Sequence, residues 1–134
     1  MNDERNDNEA LYGRVFISWG SLLAFLAVSA GAFGAHGLKD HLSKDLLEIY
    51  QTGVFYHMIH ALGMIAIGFV LQFRPYARAI RRAGWFMLAG ITIFSGSLYL
   101  LSLTDIRWLG AITPIGGICL LVAWALLGIG TWKR

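Results

Sequence analysis

Charged positions in this chain are gathered between long uncharged blocks rather than spread at short intervals. Val15–Ala35, Ile49–Phe73, Ala83–Thr104 and Trp108–Trp132 contain no Asp, Glu, Lys or Arg. A bilayer's hydrocarbon core is about 30 Å thick and takes roughly 20 apolar residues of helix to cross. The pattern therefore predicts four transmembrane helices, at about residues 15–35, 53–73, 83–104 and 108–132. In hydrocarbon each helix satisfies its own backbone, which makes helices the natural spanning element. The expected fold is all-α, a bundle of four antiparallel transmembrane helices forming one domain over residues 15–134. Residues 1–14 read as a cytoplasmic tail, partly disordered, because the Asn- and Asp-rich stretch to about Asn8 has nothing to bury.

The connections follow from local chemistry. Between the first two spans, Leu42, Leu46 and Ile49 fall at i, i+4 and i+7, opposite Ser43, Lys44, Asp45, Glu48 and Gln51. This predicts a short external amphipathic helix, with Ser43 as N-cap and Asp45 near the positive helix end. It reads as an element that lies on the membrane surface or caps the bundle. Arg74-Pro75 ends the second span, since proline cannot continue the ladder. Thr104-Asp105-Ile106-Arg107 is so short that the last two spans must form an antiparallel hairpin. Ala27, Gly31 and Ala35 repeat every four residues and predict a face that admits a neighbouring backbone, as does Ser95-Gly96-Ser97. Pro114, followed by Gly116 and Gly117, is expected to kink the fourth helix about two turns in. The two halves share no motif, so an inverted repeat of the transporter type is unsupported.

Composition strengthens this picture. The apolar share is 57% and charged residues are 14%, against roughly 45–50% and about a quarter in soluble domains; the mean hydropathy is +0.59. The net charge of +3 does not point to nucleic acid, because the basic residues flank the spans. With four spans, Arg5, Arg14, Arg74, Arg78, Arg81, Arg82, Lys133 and Arg134 share one side, and Lys39, Lys44 and Arg107 the other. The positive-inside rule then places both termini in the cytoplasm. Trp85, Trp108 and Trp132 lie near span ends, where indoles prefer the headgroup level. Ala27-Val28-Ser29-Ala30 resembles a signal-peptidase site, but the acidic leading segment and the long apolar run favour an uncleaved first span. The single Cys119 lies inside a span and pairs with nothing in the chain.

Candidate chemistry gathers on the external side. His36, His41, His57 and His60 are the only histidines. His57 and His60 share a helix face, with Met64 four residues on. Imidazole with a thioether suits copper, and imidazole alone suits zinc or haem iron. Tyr50, Tyr56, Tyr99, Ser95 and Ser97 are available as hydrogen-bond partners, which supports a structural network instead. Two histidines at i, i+3 without an acidic ligand are a weak metal signature, and bis-histidine haem lacks histidines on spans three and four. The metal question stays open, and no cofactor is expected. No span holds a carboxylate, so a relay built on buried acids lacks its main parts. No nucleophile triad or nucleotide fingerprint stands out.

Several short runs carry a family likeness: Gly31-Ala32-Phe33-Gly34-Ala35-His36; Gln51-Thr52-Gly53 with Tyr56 and His60-Ala61-Leu62; Phe94-Ser95-Gly96-Ser97-Leu98-Tyr99; Thr113-Pro114-Ile115-Gly116-Gly117; and Trp124-Ala125-Leu126. In order and spacing the chain resembles the YgdD/YwdK-type family of small four-span membrane proteins, the domain of unknown function 423. The resemblance implies an integral membrane protein without an assigned activity. It also implies that His36, Tyr56 and His60 occupy family motif positions, while His41 and His57 do not. A pairing of His36 with His60 or Tyr56 across the first two spans is the arrangement it suggests.

The main polar cluster expected is thus His36, Tyr56, His60 and Tyr99, with His57, Met64, Ser95 and Ser97 as weaker members. The leading functional expectation is a non-enzymatic structural or partner subunit in the bilayer, associating with other membrane proteins or with itself. The alternative is a small-ligand site for metal, proton or quinone in an outer cavity between spans one, two and four. A small oligomeric transporter is the third reading, and it lacks a buried charged path.

Overall fold

A computed structural model describes residues 2–74 and 78–132, with side chains from Ala10 onward. It contains four long helices: α1 (Asn2–Phe33), α2 (Lys44–Phe73), α3 (Arg78–Thr104) and α4 (Thr113–Trp132). All four, with the short helical turns that adjoin them, are long and apolar enough to cross a membrane. The side chains of the tail expected to be disordered, residues 1–8, lie outside the described residues, as does Pro75.

The helix ends obey their local chemistry. α1 widens into a π-helical turn at Gly34–Leu38, and the Leu38 carbonyl then accepts from the amides of both His41 and Leu42 at 3.0 Å. Ser43 caps α2: its Oγ accepts from the Leu46 amide at 3.3 Å, and Asp45 stands in the first turn. The amphipathic segment at Lys44–Ile49 is helical, and it is the opening of α2 rather than a separate element. Arg74 closes α2, its amide donating to the Val70 carbonyl at 2.9 Å. Asp105 turns the chain out of α3 with φ 55°, a left-handed conformation that Asp tolerates better than most residues.

Pro114 does not kink a helix. Residues Arg107–Ala111 form a 3-10 turn and α4 begins only at Thr113, so Pro114 sits in the first turn. An amide there has no acceptor within the helix, and proline loses nothing by lacking one. Gly116 and Gly117 serve packing and space instead, as shown below.

α2 and α3 form the middle of the molecule, and α1 and α4 lie outside them, packed mainly on α2 and α3 respectively. The interior is built from Phe16, Met64, Ile67, Leu71, Ile80, Met87 and Leu120. Phe16 reaches across to α3, where its ring packs edge-on against Trp85 with centroids 5.4 Å apart. α1 meets α2 along a seam that the four-residue pattern did not indicate. Gly13, Gly20, Ala27 and Gly34 are all buried and recur every seven residues. A seven-residue period keeps one stripe of a helix against its neighbour, and small residues there bring backbones together. A Cβ on Gly20 would lie 2.9 Å from the Ala61 carbonyl oxygen, and one on Gly68 would lie 2.7 Å from that of Gly13. Of the expected stripe, Ala27 belongs to this seam, a Cβ on Gly31 would meet the Val54 side chain at 3.3 Å, and Ala35 is exposed. The pattern was read one face off, because a four-residue step drifts around the helix while a seven-residue step stays in place.

Candidate functional site

Most polar side chains inside the bundle join one helix to another. The Tyr50 hydroxyl donates to the Ala30 carbonyl of α1 at 2.6 Å. On α3, the Ser95 hydroxyl donates to the Gly53 carbonyl of α2 at 2.8 Å, and Ser97 shares a 2.7 Å hydrogen bond with Thr113 at the start of α4. His57 Nδ1 and the Tyr99 hydroxyl are 2.9 Å apart and hydrogen-bonded between α2 and α3. Gly53 makes room for this meeting, since a Cβ there would lie 3.1 Å from the Tyr99 ring. His57 is buried; the Leu23 backbone of α1 is near enough to interact with its ring, but Nε2 makes no hydrogen bond of normal geometry.

Removing the Tyr99 hydroxyl would leave both His57 nitrogens without a hydrogen bond. We expect Tyr99→Phe to destabilise the bundle by about 1–2 kcal/mol, read as reversible unfolding in mixed micelles. The Tyr56 hydroxyl makes no hydrogen bond among the described residues, so Tyr56→Phe should leave the transition in place. Equal effects would mean that the His57–Tyr99 bond is not a structural tie.

A second group is built differently. His60 turns Nδ1 back onto its own helix, 2.6 Å from the Tyr56 carbonyl. A carbonyl can only accept, so Nδ1 carries a proton, and in the neutral ring Nε2 presents a lone pair. That Nε2 has no hydrogen-bond partner, yet it is not sealed away as His57 Nε2 is. The Tyr56 ring stacks parallel to the imidazole with centroids 5.7 Å apart, and the Trp124 indole is 6.0 Å away. These groups border a pocket of about 340 Å³ between α2, α3 and α4, lined among others by Tyr56, His60, Phe94, Gly117, Leu121 and Trp124. The outer cavity expected between spans one, two and four is therefore replaced by one that α1 does not reach.

The expected cluster divides accordingly. Tyr56 and His60 share the pocket, while Tyr99 pairs with His57 in the interior. His36 stands exposed in the π-helical turn and makes no hydrogen bond or ring contact among the described residues, so the His36 pairing with His60 or Tyr56 is not formed. His41 is likewise exposed. Met64 is wholly buried in the apolar core, where its thioether fills space. No group of three His, Cys, Asp or Glu that would hold a metal is found among the described residues. Sequence reasoning missed Thr113, Phe94 and Trp124; for Trp124 a signal existed, since an indole far from either span end has no interfacial reason to be there.

At the turn between α3 and α4, Arg107 binds Asp45 Oδ2 at 2.8 Å through its terminal nitrogen and Asp105 Oδ1 at 2.6 Å through Nε. All three side chains are more than half exposed. Exposed pairs like these contribute little to stability; they orient the α3–α4 turn over the start of α2 but do not hold the fold.

Comparison with known proteins agrees with this architecture. The family model described as "Protein of unknown function (DUF423)" matches residues 30–117. The UPF0382 membrane protein YwdK of Bacillus subtilis is 46% identical over 120 residues, covering 90% of this chain and 98% of its own. A UPF0382 membrane protein of Staphylococcus saprophyticus is 48% identical with the same coverage. One from Staphylococcus epidermidis is 47% identical, covering 90% of this chain and 97% of its own. No solved structure matches the chain.

Proposed function

Because the chain belongs to the DUF423 family, whose relatives above are membrane proteins, we propose that it is a non-enzymatic multi-pass protein of the bacterial cytoplasmic membrane that acts as a structural or partner subunit. The observation that carries this reading is the use of the interior polar side chains. Tyr50, His57, Ser95, Ser97, Tyr99 and Thr113 join helix to helix, which leaves few of them for chemistry. The apolar faces of α1 and α4, with Phe25, Val28, Ile118 and Leu121 turned outward, offer surface for lipid, for another membrane protein or for a second copy of the chain. In-membrane cross-linking followed by purification tests this reading. A discrete cross-linked species supports it, and a protein that stays monomeric and alone counts against it.

The same reading places both termini in the cytoplasm, supported by the eight basic residues on their side against three on the other. Asp40→Cys lies in the external turn after α1, and Arg78→Cys at the internal start of α3. A membrane-impermeant maleimide applied to intact cells should label Asp40→Cys strongly and Arg78→Cys only after lysis. The reverse pattern would invert the topology.

A further inference from the structure

The pocket at His60 goes beyond this reading and stands whether or not the chain has a protein partner. We propose that it binds a lipid-soluble aryl alcohol, a quinol or phenol headgroup, which donates its hydroxyl hydrogen to His60 Nε2.

Four observations define the ligand. First, the tautomer is set. The Tyr56 carbonyl holds a proton on Nδ1, so in the neutral ring Nε2 can accept a hydrogen bond and cannot give one. A ligand hydroxyl satisfies that lone pair; a carbonyl or ether oxygen at the same place does not. Secondly, the walls are aromatic. The Tyr56 and Phe94 rings lie 4.5 Å apart, centroid to centroid, and Trp124 stands beside His60. Flat rings of this kind suit a flat aromatic guest.

Thirdly, the volume of about 340 Å³ sits at the small end of ligand pockets, which run from about 300 to 1,000 Å³. It accommodates a headgroup but not a long tail. Fourthly, the pocket lies deep and opens sideways. At 1.5 Å per residue, His60 is about 24 Å along α2 from Lys44, near the middle of that 30-residue helix. Leu121, which lines the pocket, is 72% exposed on the outer face of α4. A headgroup entering from that side leaves its hydrocarbon tail in lipid.

Other occupants fit less well. A metal ion would meet one imidazole nitrogen, and no group of three ligating residues is found among the described ones to replace its water. An alkane or acyl chain would fill the space but leave Nε2 without a hydrogen bond. Gly117 is the residue that keeps the pocket open. A Cβ there would sit 3.7 Å from the Phe94 ring, an ordinary contact, so a side chain added at this lining position starts without a backbone clash.

The test uses the full-length protein in detergent, with a decyl-substituted benzoquinol kept reduced and its dimethyl ether as the matched ligand without a donor. Affinity is read by calorimetry and by the ligand-induced rise in Tm. The quinol should bind about tenfold more tightly than the ether, the difference of one hydrogen bond. Gly117→Leu should abolish binding of both while keeping the wild-type unfolding transition. His60→Leu should make the two ligands equal, and ¹⁵N spectra of the wild type should show His60 protonated at Nδ1 and its Nε2 shifted when the quinol is added. Equal affinities in the wild type would overturn the proposal, as would binding that survives Gly117→Leu or tight zinc binding at His60 in its place. Should His60→Leu fail to fold, the quinol–ether comparison in the wild type and in Gly117→Leu still decides.

Discussion

Replacing Gly116 by leucine is expected to drive α3 and α4 apart. A Cβ at Gly116 would run into the Phe94 amide nitrogen and lie 2.7 Å from its Cα. Both atoms are backbone, so no rotamer change can relieve the contact; one helix must move. Ser97 would then lose Thr113, its hydrogen-bond partner across the same interface. The cost should be on the order of 3 kcal/mol, at the upper end for overpacked sites. Gly128 on the same helix is the matched control, because a Cβ there meets nothing within 4 Å. Gly128→Leu should be neutral or stabilise by up to about 1 kcal/mol through helix propensity. Reversible unfolding in mixed micelles, followed by tryptophan fluorescence, separates the two. Equal midpoints would show that the α3–α4 contact is looser than the backbone distances state.

Gly20→Leu should have a comparable effect on the other pair. Its Cβ would approach the Ala61 carbonyl oxygen and the Ile65 amide nitrogen to 2.9 Å each. The Ile65 side chain, 2.7 Å away at Cγ1, can turn aside, but the two backbone atoms cannot, and a loss of about 2–3 kcal/mol follows. The informative comparison is Ala35→Leu. Ala35 belongs to the four-residue stripe legible in the sequence, but it is exposed after the π-helical turn. Ala35→Leu should unfold at the wild-type midpoint. If Ala35→Leu were the more damaging of the two, α1 would pack on the face that the four-residue pattern indicates.

The contrast between these stripes shows where sequence reasoning stops. Small residues are frequent in this chain, which has sixteen glycines, and several spacings can be drawn through them. Which spacing is used depends on the position of the neighbouring helix, and that is a property of the whole bundle. Pro114 gives the same lesson. Its effect on a helix depends on whether residues before it are already helical, and here the 3-10 turn at Arg107–Ala111 moves the helix start to Thr113. The histidines are the clearest case. At i and i+3, His57 and His60 share a helix face in the sequence pattern. Yet His57 turns inward to Tyr99, and His60 faces the pocket beside Trp124. A step of three residues is a rotation of about 60° away from alignment on an α-helix, enough to send two neighbours into different interfaces of a central helix.

What the sequence determined by itself is everything that follows from the solvent and from local bonding. Four uncharged blocks of sufficient length require four spanning helices, because hydrocarbon satisfies no backbone group from outside. Ser43 as a cap, the end of α2 before Pro75 and the short turn after Thr104 follow from interactions within a few residues, and the structure has each of them. Only the tertiary structure decided which glycines touch, which histidine is sealed and which faces a pocket, and that α1 takes no part in that pocket. The physical reason is that lipid is as apolar as the helix faces it contacts, so hydrophobicity does not tell an inward face from an outward one. Close packing and hydrogen bonds between helices make that choice, and they arise between residues far apart in the chain.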